Sequence, residues 1–225
     1  MNTNDSPPVA PDRRPLDTRK QSWVPRLARA LDAKGFSPNG ISALGIVAAL
    51  IGACAFFASR EVGGSAPRCA LLLLAALMIQ TRLLANMMDG LVAVECGRGS
   101  PDGDFFNEVP DRLEDAMLLI GAGFAAGNTG LGTFAALIAV SVAYLRAYRA
   151  SRGLGQDFRG PGAKPHRMFV LTLGTLVAAV AAGMGELPAD RGEYLRMALI
   201  AVIVLGVVTL YRRGSKTLRD MRTAK

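Results

Sequence analysis

The stretch of residues 116–145, AMLLIGAGFAAGNTGLGTFAALIAVSVAYL, decides the fold class because it contains no Asp, Glu, Lys, Arg or His. Ile41–Ser59 and Met168–Gly185 are free of charged residues in the same way. Uncharged apolar runs of about 18 residues or more are typical of helices that cross a bilayer. Hydrophobic residues make up 51% of the chain, and its mean hydropathy is +0.29. These features exclude a water-soluble fold of this size and a disordered chain.

Working outward from this stretch, we predict an all-α integral membrane protein with six transmembrane helices and a short N-terminal amphipathic helix at the membrane interface. The amphipathic helix follows from apolar and basic residues that alternate at helical spacing between Trp23 and Leu31. A tight turn at Gly127–Gly130 separates the third and fourth spans. The six predicted spans are Gly40–Ser59, Ala66–Met88, Asn107–Ala126, Leu131–Tyr148, Met168–Gly185 and Tyr194–Tyr211.

The basic residues indicate the orientation of these spans. Most Lys and Arg lie before the first span, between the fourth and fifth, and after the sixth. The positive-inside rule and an even number of spans then place both termini in the cytoplasm. The net charge of +8 has the same origin, and no RNA-binding signature indicates a nucleic-acid partner. We predict a disordered cytosolic tail over 1–20, a membrane domain over 21–213 and a basic cytosolic tail over 214–225.

Polar residues cluster where the second predicted span leaves the cytoplasmic face and the third re-enters. On a helix, Asn86 and Asp89 share a face at i, i+3, and Asn107, Asp111 and Asp115 share another at i, i+4, i+8. Convergent oxygen ligands suit a hard cation such as Mg²⁺, and carboxylates at a bilayer usually mark function. The alternative is an ordinary acidic helix start, which explains a stripe of three polar side chains poorly.

This segment resembles the signature of the CDP-alcohol phosphatidyltransferases, D-x-x-D-G-x-x-A-R, eight residues, then G-x-x-x-D-x-x-x-D. The chain supplies five of its positions at the same spacing, namely Asp89, Gly90, Ala93, Gly103 and Asp111. The resemblance extends over most of the membrane domain, from Ser37 to the basic loop at 162–167. It implies a membrane transferase of phospholipid biosynthesis, which moves a phosphatidyl group from a CDP-linked donor such as CDP-diacylglycerol to an alcohol and releases CMP.

The departures from the signature are as informative as the matches. Asn86 and Asn107 stand at its first and third Asp positions, and Val94 replaces its Arg. The chain therefore resembles a variant subgroup with Asn at both positions. An amide oxygen can ligate a cation but adds no charge, so we expect fewer ions or weaker binding. The nearby acids that would restore part of the charge are Asp104, Glu108 and Asp115.

The resemblance also implies roles for individual residues, with Asp111 as the catalytic base. The predicted ligands for Mg²⁺ or Mn²⁺ are Asn86, Asp89, Asn107, Asp111 and Asp115. The predicted nucleotide-binding residues are Pro38, Asn39, Asp89, Gly90, Ala93 and Gly103. A Pro-Asn turn before a helix explains the first two almost as well. The residues predicted to bind the acceptor and its phosphate are Arg82, Arg146, Arg149 and Lys164.

Each of these four cations has an alternative explanation. Arg82 lies one turn before Asn86 and either faces the same cavity or extends to the cytoplasmic interface. The other three also fit plain positive-inside topology.

The resemblance further implies a homodimer in the bacterial inner membrane, with a CDP-linked lipid donor, an alcohol acceptor and membrane lipids as partners. Small residues in spans three and four would allow close helix packing, within or between chains (Gly121, Gly123, Ala125 and Ala126). The two asparagines favour a rival function, a catalytically weakened pseudoenzyme that binds a CDP-lipid or a partner protein. A small transporter is disfavoured because the polar groups lie at the membrane boundary, without an inverted repeat. The sequence does not specify the acceptor alcohol.

Overall fold

The computed structural model describes residues 23–98, 103–185 and 192–223, and these residues form seven α-helices without any strand. The predicted all-α class is therefore confirmed for the described residues, whereas the predicted tail over 1–20 lies outside them. The helices are α1 (Trp23–Ala33), α2 (Pro38–Glu61), α3 (Ser65–Glu95), α4 (Gly103–Ala125), α5 (Thr129–Ser151), α6 (Lys164–Gly183) and α7 (Glu193–Thr223).

Local capping residues explain where two of the spanning helices begin. The Ser37 side chain accepts a hydrogen bond from the N–H of Gly40 at 3.1 Å, and Pro38 is the first residue of α2. Ser at the N-cap followed by Pro at the first helical position is a favoured helix start. The Asn128 side chain caps α5 through the N–H of Leu131 at 2.9 Å. Gly127, with φ of +72°, makes the predicted turn before it.

Two helices run well past the predicted ends of their spans. α3 and α7 each have 31 residues, which is about 45 Å at the usual helical rise and exceeds the roughly 30 Å hydrocarbon core of a bilayer. α3 continues from Met88 to Glu95, so the segment holding Asp89 and Gly90 is helical. α7 continues from Tyr211 to Thr223, so most of the predicted basic tail is helical as well.

Five of the described helices, α2, α3, α5, α6 and α7, are long and apolar enough to cross a membrane. α4 does not meet that standard, since it carries Asp111, Glu114 and Asp115 among its charged residues. The count of six spans therefore stays a prediction. The outer faces of the five helices expose large apolar side chains such as Leu77, Leu137 and Phe169, as expected for surfaces that contact lipid.

Small residues bring α4 close to its neighbours. The Cβ of a residue placed at Gly123 would lie 2.6 Å from the Cα of Gly132 in α5. One placed at Gly121 would lie 3.1 Å from the Cα of Ala53 in α2. The close packing allowed by these two glycines thus occurs within the chain. α2 also packs on α3, α3 on α6, and α7 on both α5 and α6.

The short helix predicted before the first span is present as α1. Its residues Val24 and Ala28 are fully buried against Ile41, Met88 and Leu91. Part of the apolar face therefore packs on the ends of α2 and α3 instead of facing lipid. This contact makes α1 a wall at the end of the bundle where α3 ends.

Candidate active site

The predicted polar residues meet at one end of the bundle, where α3 ends and α4 and α6 begin. Asn86 and Asp89 come from the last turns of α3, and Asp111 comes from the first half of α4. Lys164 is the first residue of α6. α3 and α4 run in opposite directions through the bundle, so the end of α3 and the start of α4 are neighbours. The polar side chains on their facing sides therefore come close together.

Asp111 is the centre of this group and is only 6% exposed. Its two carboxylate oxygens accept hydrogen bonds from the Lys164 ammonium at 2.6 and 2.5 Å. One oxygen also accepts from Arg82 at 3.2 Å and from the side-chain amide of Asn86. The Lys164 ammonium in turn contacts the amide oxygen of Asn86. A positive charge thus lies between an amide oxygen and a carboxylate that come from different helices.

Asp89 is buried beside the start of α2. One of its oxygens accepts a hydrogen bond from the Ser42 hydroxyl at 2.6 Å, and the other accepts from the N–H of Gly90 at 2.5 Å. The contact with Ser42 fixes the start of α2 against α3. Pro38 and Asn39 form the first turn of α2, as their alternative explanation expects, and their nucleotide-binding role stays a prediction.

Arg82 is fully buried between α3 and α4, which excludes the alternative that it extends to the membrane interface. Its Nε lies 2.5 Å from Glu114, and one of its terminal nitrogens lies 2.8 Å from Asp115. Arg167 of α6 forms a second ion pair with Asp115. Burial of a charge at this depth is costly unless the charge is paired. Arg82 and Arg167 together offset the acids on α4.

Asp115 therefore contacts two arginines in the structure. Its assignment as a metal ligand stays a prediction, and the ion pairs with Arg82 and Arg167 favour a role in holding α3, α4 and α6 together.

The two arginines predicted on α5 differ in their surroundings. Arg146 donates to the Glu108 carboxylate at 2.5 and 2.6 Å, and its guanidinium lies 5.7 Å from the ring centroid of Phe158. Arg149 is 6% exposed and donates to Asp220 of α7 at 2.5 Å and to the Leu154 carbonyl at 2.9 Å. Arg149 therefore joins α5 to α7 and to the following loop. The acceptor-binding role of both residues stays a prediction.

Sequence reasoning missed Ser42 and Glu114 and treated Arg167 only as part of a basic loop. Glu114 lies three residues after Asp111 and so shares its face of α4. Because a buried acid needs a buried cation, the pairing of Glu114 with Arg82 could have been predicted. Ser42 gave no comparable signal, because a lone Ser in an apolar run is common.

Other predicted residues are placed only in part. The side chains of Asp104 and Asn107 lie outside what the structure describes. Gly90 and Ala93 lie in the last two turns of α3, and Gly103 is the first residue of α4. Among the described residues, no three His, Cys, Asp or Glu side chains come together as a metal site.

No protein-family model matches the chain. The chain is similar to a phosphatidylinositol phosphate synthase of Mycolicibacterium smegmatis, with 28% identity over 195 residues that cover 83% of this chain and 80% of that protein. It is also similar to an archaetidylinositol phosphate synthase of Pyrococcus horikoshii, with 24% identity over 160 residues that cover 71% of this chain and 79% of that protein. The enzyme class predicted from the motif agrees with these names.

The fold is shared with solved structures of phosphatidylinositol phosphate synthase from Mycobacterium tuberculosis. The crystal structure with CDP-DAG bound has 22% identity and a TM-score of 0.66, covering 86% of this chain and 92% of that one. The crystal structure in complex with manganese and citrate has 22% identity and a TM-score of 0.67, covering 87% of this chain and 88% of that one. The likeness extends over nearly the whole bundle.

Proposed function

We propose that this protein is a membrane transferase that moves the phosphatidyl group of CDP-diacylglycerol to an inositol phosphate and releases CMP. The motif supports the CDP-linked donor, and the names of the relatives denote a product that carries inositol phosphate. The observation that carries the proposal is the buried Asp111 carboxylate, which meets Asn86 of α3 and Lys164 of α6 at the end of the bundle.

The reaction needs a base at the acceptor hydroxyl. The hydroxyl oxygen attacks the phosphorus that bears the lipid, the bond from that phosphorus to CMP breaks, and CMP leaves with the bonding electrons. Asp111 takes the hydroxyl proton. Its oxygens are bonded to Lys164, and the phosphate of an inositol phosphate would attract the same ammonium. Movement of Lys164 from Asp111 to that phosphate would position the acceptor and expose the base to its hydroxyl.

The donor set fits one divalent cation. Asp89, Asp111 and Asn86 offer carboxylate and amide oxygens, which are the ligands of Mg²⁺ and Mn²⁺. Oxygens of Asn86 and Asp111 already contact a cation, the Lys164 ammonium. A bound Mg²⁺ or Mn²⁺ would offset negative charge on the donor pyrophosphate. The complex of the solved relative with manganese supports a divalent ion, and the two remaining signature carboxylates support a single ion.

The proposed function is tested with purified protein in detergent. CDP-diacylglycerol is supplied with inositol phosphate, glycerol phosphate or serine, with Mn²⁺, Mg²⁺ or EDTA, and CMP release is measured. We expect CMP only with a divalent ion and fastest with inositol phosphate. Faster release with glycerol phosphate or serine would contradict the proposed acceptor. Binding of CDP-diacylglycerol without release of CMP in the presence of any of the three acceptors would support the pseudoenzyme.

The pseudoenzyme remains the second candidate because Asn86, at the first Asp position of the signature, donates a hydrogen bond to Asp111 where the signature has a carboxylate. We expect the double variant Asn86→Asp/Asn107→Asp to bind Mn²⁺ more tightly, since affinity in an oxygen site rises with ligand charge. Mn²⁺ titration by calorimetry, with CMP release measured alongside, checks this. Tighter binding with lost turnover indicates chemistry adapted to the asparagines. A gain of turnover that the natural chain lacks indicates a weakened descendant, and unchanged affinity removes both asparagines from the metal site.

We also infer that both termini lie in the cytoplasm of a bacterium, with the chain in its inner membrane. The homodimer implied by the resemblance stays a prediction. Residues 63 and 151 lie at opposite ends of the bundle, after α2 and at the end of α5. In a background where Cys54, Cys69 and Cys96 are replaced by Ala, Gly63→Cys should react with a membrane-impermeant maleimide on intact spheroplasts. Ser151→Cys should react only after permeabilisation. The reverse pattern would overturn the orientation.

A further inference from the structure

A cleft of about 600 Å³ lies between the loop at 157–160 and the last three turns of α7. It opens at the same end of the bundle as the candidate active site, but Asp89, Asp111 and Lys164 do not line it. Its walls carry five basic side chains and one acid, Asp157. The basic residues are Arg159, Arg212, Lys216, Arg219 and Arg222. No role follows for this cleft from the transfer reaction described above.

The loop that forms one wall is fixed to α7 by buried contacts. The N–H of Gly162 donates to the Thr209 hydroxyl at 2.7 Å, and the Arg213 guanidinium donates to the carbonyl of Arg159 at 2.8 Å. Gly160 has a φ of +114°, and a Cβ there would lie 2.6 Å from Thr209. Only glycine permits this approach. The loop at 157–160 is therefore held in place against α7, and the shape of the cleft is fixed on that side.

The acids near the cleft leave much of its positive charge unpaired. Asp157 accepts hydrogen bonds from the backbone N–H, the Nε and a terminal nitrogen of Arg159, each at 3.0 Å. Burial alone would raise the pKa of Asp157, but the hydrogen bonds from Arg159 lower it below the usual range. Asp157 thus stays ionised and forms its ion pair with Arg159. Lys216 pairs with Asp220 at 3.0 Å.

Three arginines remain. Within residues 23–98, 103–185 and 192–223, no carboxylate forms an ion pair with Arg212, Arg219 or Arg222. Three guanidinium groups on one wall of a cleft suit a phosphate group, because the planar donors of arginine match phosphate oxygens.

The apolar residues of the cleft indicate where that phosphate comes from. Tyr211, directly after the apolar part of α7, is 75% exposed, and Leu218 is 58% exposed. Exposed aromatic and aliphatic side chains beside arginines are typical of the membrane–water interface. The positive-inside rule accounts for a surplus of arginines at this end but not for a cleft that combines them with apolar groups. We propose that this cleft binds the phosphate-bearing headgroup of an anionic phospholipid, at a site separate from the active site.

The test uses purified full-length protein and native mass spectrometry to count phosphatidylglycerol molecules retained from mixed micelles. Arg219→Gln/Arg222→Gln removes two cleft charges. We expect it to weaken retention about tenfold, given the attraction of basic residues to anionic lipid surfaces. Ser215→Trp fills the cleft without changing its charge and should weaken retention as well. The matched control is Arg29→Gln/Lys34→Gln, which removes two exposed charges around the end of α1 and should retain phosphatidylglycerol as the natural chain does.

The outcomes separate a site from a general effect of charge. Loss of retention in both cleft variants, with the control unchanged, supports the proposal. Equal loss in the control, or no loss in Ser215→Trp, means that only net charge matters and overturns it. Inorganic phosphate is titrated in a separate arm without phosphatidylglycerol. If phosphate binds to the cleft while phosphatidylglycerol is not retained, the site serves a soluble phosphate and the lipid proposal is wrong. CMP release in uncharged micelles should be the same for all variants.

Discussion

Asp111→Asn is expected to lower CMP release from the CDP-linked donor by about 100-fold or more, the loss typical for removal of a general base. The amide has nearly the same shape as the carboxylate and can still accept hydrogen bonds from Lys164 and Arg82. It cannot take the proton of the acceptor hydroxyl. The variant should therefore fold and bind CDP-diacylglycerol while its chemical step fails.

Glu108→Gln is the matched control, because it removes a carboxylate one turn earlier on α4. The Glu108 side chain is 46% exposed and pairs with Arg112 and Arg146. It makes no direct contact with Asp111, although Arg112 also lies 3.8 Å from an Asp111 oxygen. We expect its CMP release to stay within a few-fold of that of the natural chain. Both variants are assayed over a range of Mn²⁺ concentrations, since recovery of Asp111→Asn at high Mn²⁺ would indicate metal ligation alone. Near-normal turnover of Asp111→Asn would exclude it as the base and direct attention to Asp115.

The sequence predicted the helices well because bilayer spans have a strong signal. Runs such as residues 116–145 cannot be placed in water, and Gly127 and Asn128 mark the turn within that run. The helix ends beyond the membrane were less predictable. α3 and α7 continue into polar sequence because the helical hydrogen bonds persist where the apolar run stops, so hydropathy alone set Met88 and Tyr211 as ends too early.

The candidate site was predictable only where spacing along one helix determines it. Asn86 with Asp89, and Asp111 with Asp115, could be placed on shared faces by the helical period. The contacts between helices could not. Ser42 lies 47 positions before Asp89, and Lys164 lies 53 positions after Asp111. These contacts form only because α2 and α6 pack against α3 and α4. A single sequence does not show which helices pack against each other.

Arg82→Met is expected to lower the free energy of unfolding by about 3–5 kcal/mol, the usual cost of removing one partner of a buried charge group. Arg82 is fully buried and contacts three acids on α4, namely Asp111, Glu114 and Asp115. Methionine fills a similar volume, so little of the loss would come from a cavity. The loss would come instead from carboxylates left without their cation; of these, Glu114 has no other ion-pair partner among the described residues.

Thermal and denaturant unfolding in detergent measure this effect, with Arg112→Met as the matched control on α4. Arg112 is 21% exposed and pairs with the half-exposed Glu108 and, at 3.8 Å, with Asp111, so we expect a loss below about 1 kcal/mol. The double variant Arg82→Met/Glu114→Gln should recover part of the stability lost in Arg82→Met, because it removes the stranded charge along with its partner. Equal losses for Arg82→Met and Arg112→Met, or no recovery in the double variant, would show that the buried ion pairs do not stabilise the contact between α3 and α4. The Asp111 carboxylate would then be positioned without Arg82, by its hydrogen bonds from Lys164 and Asn86.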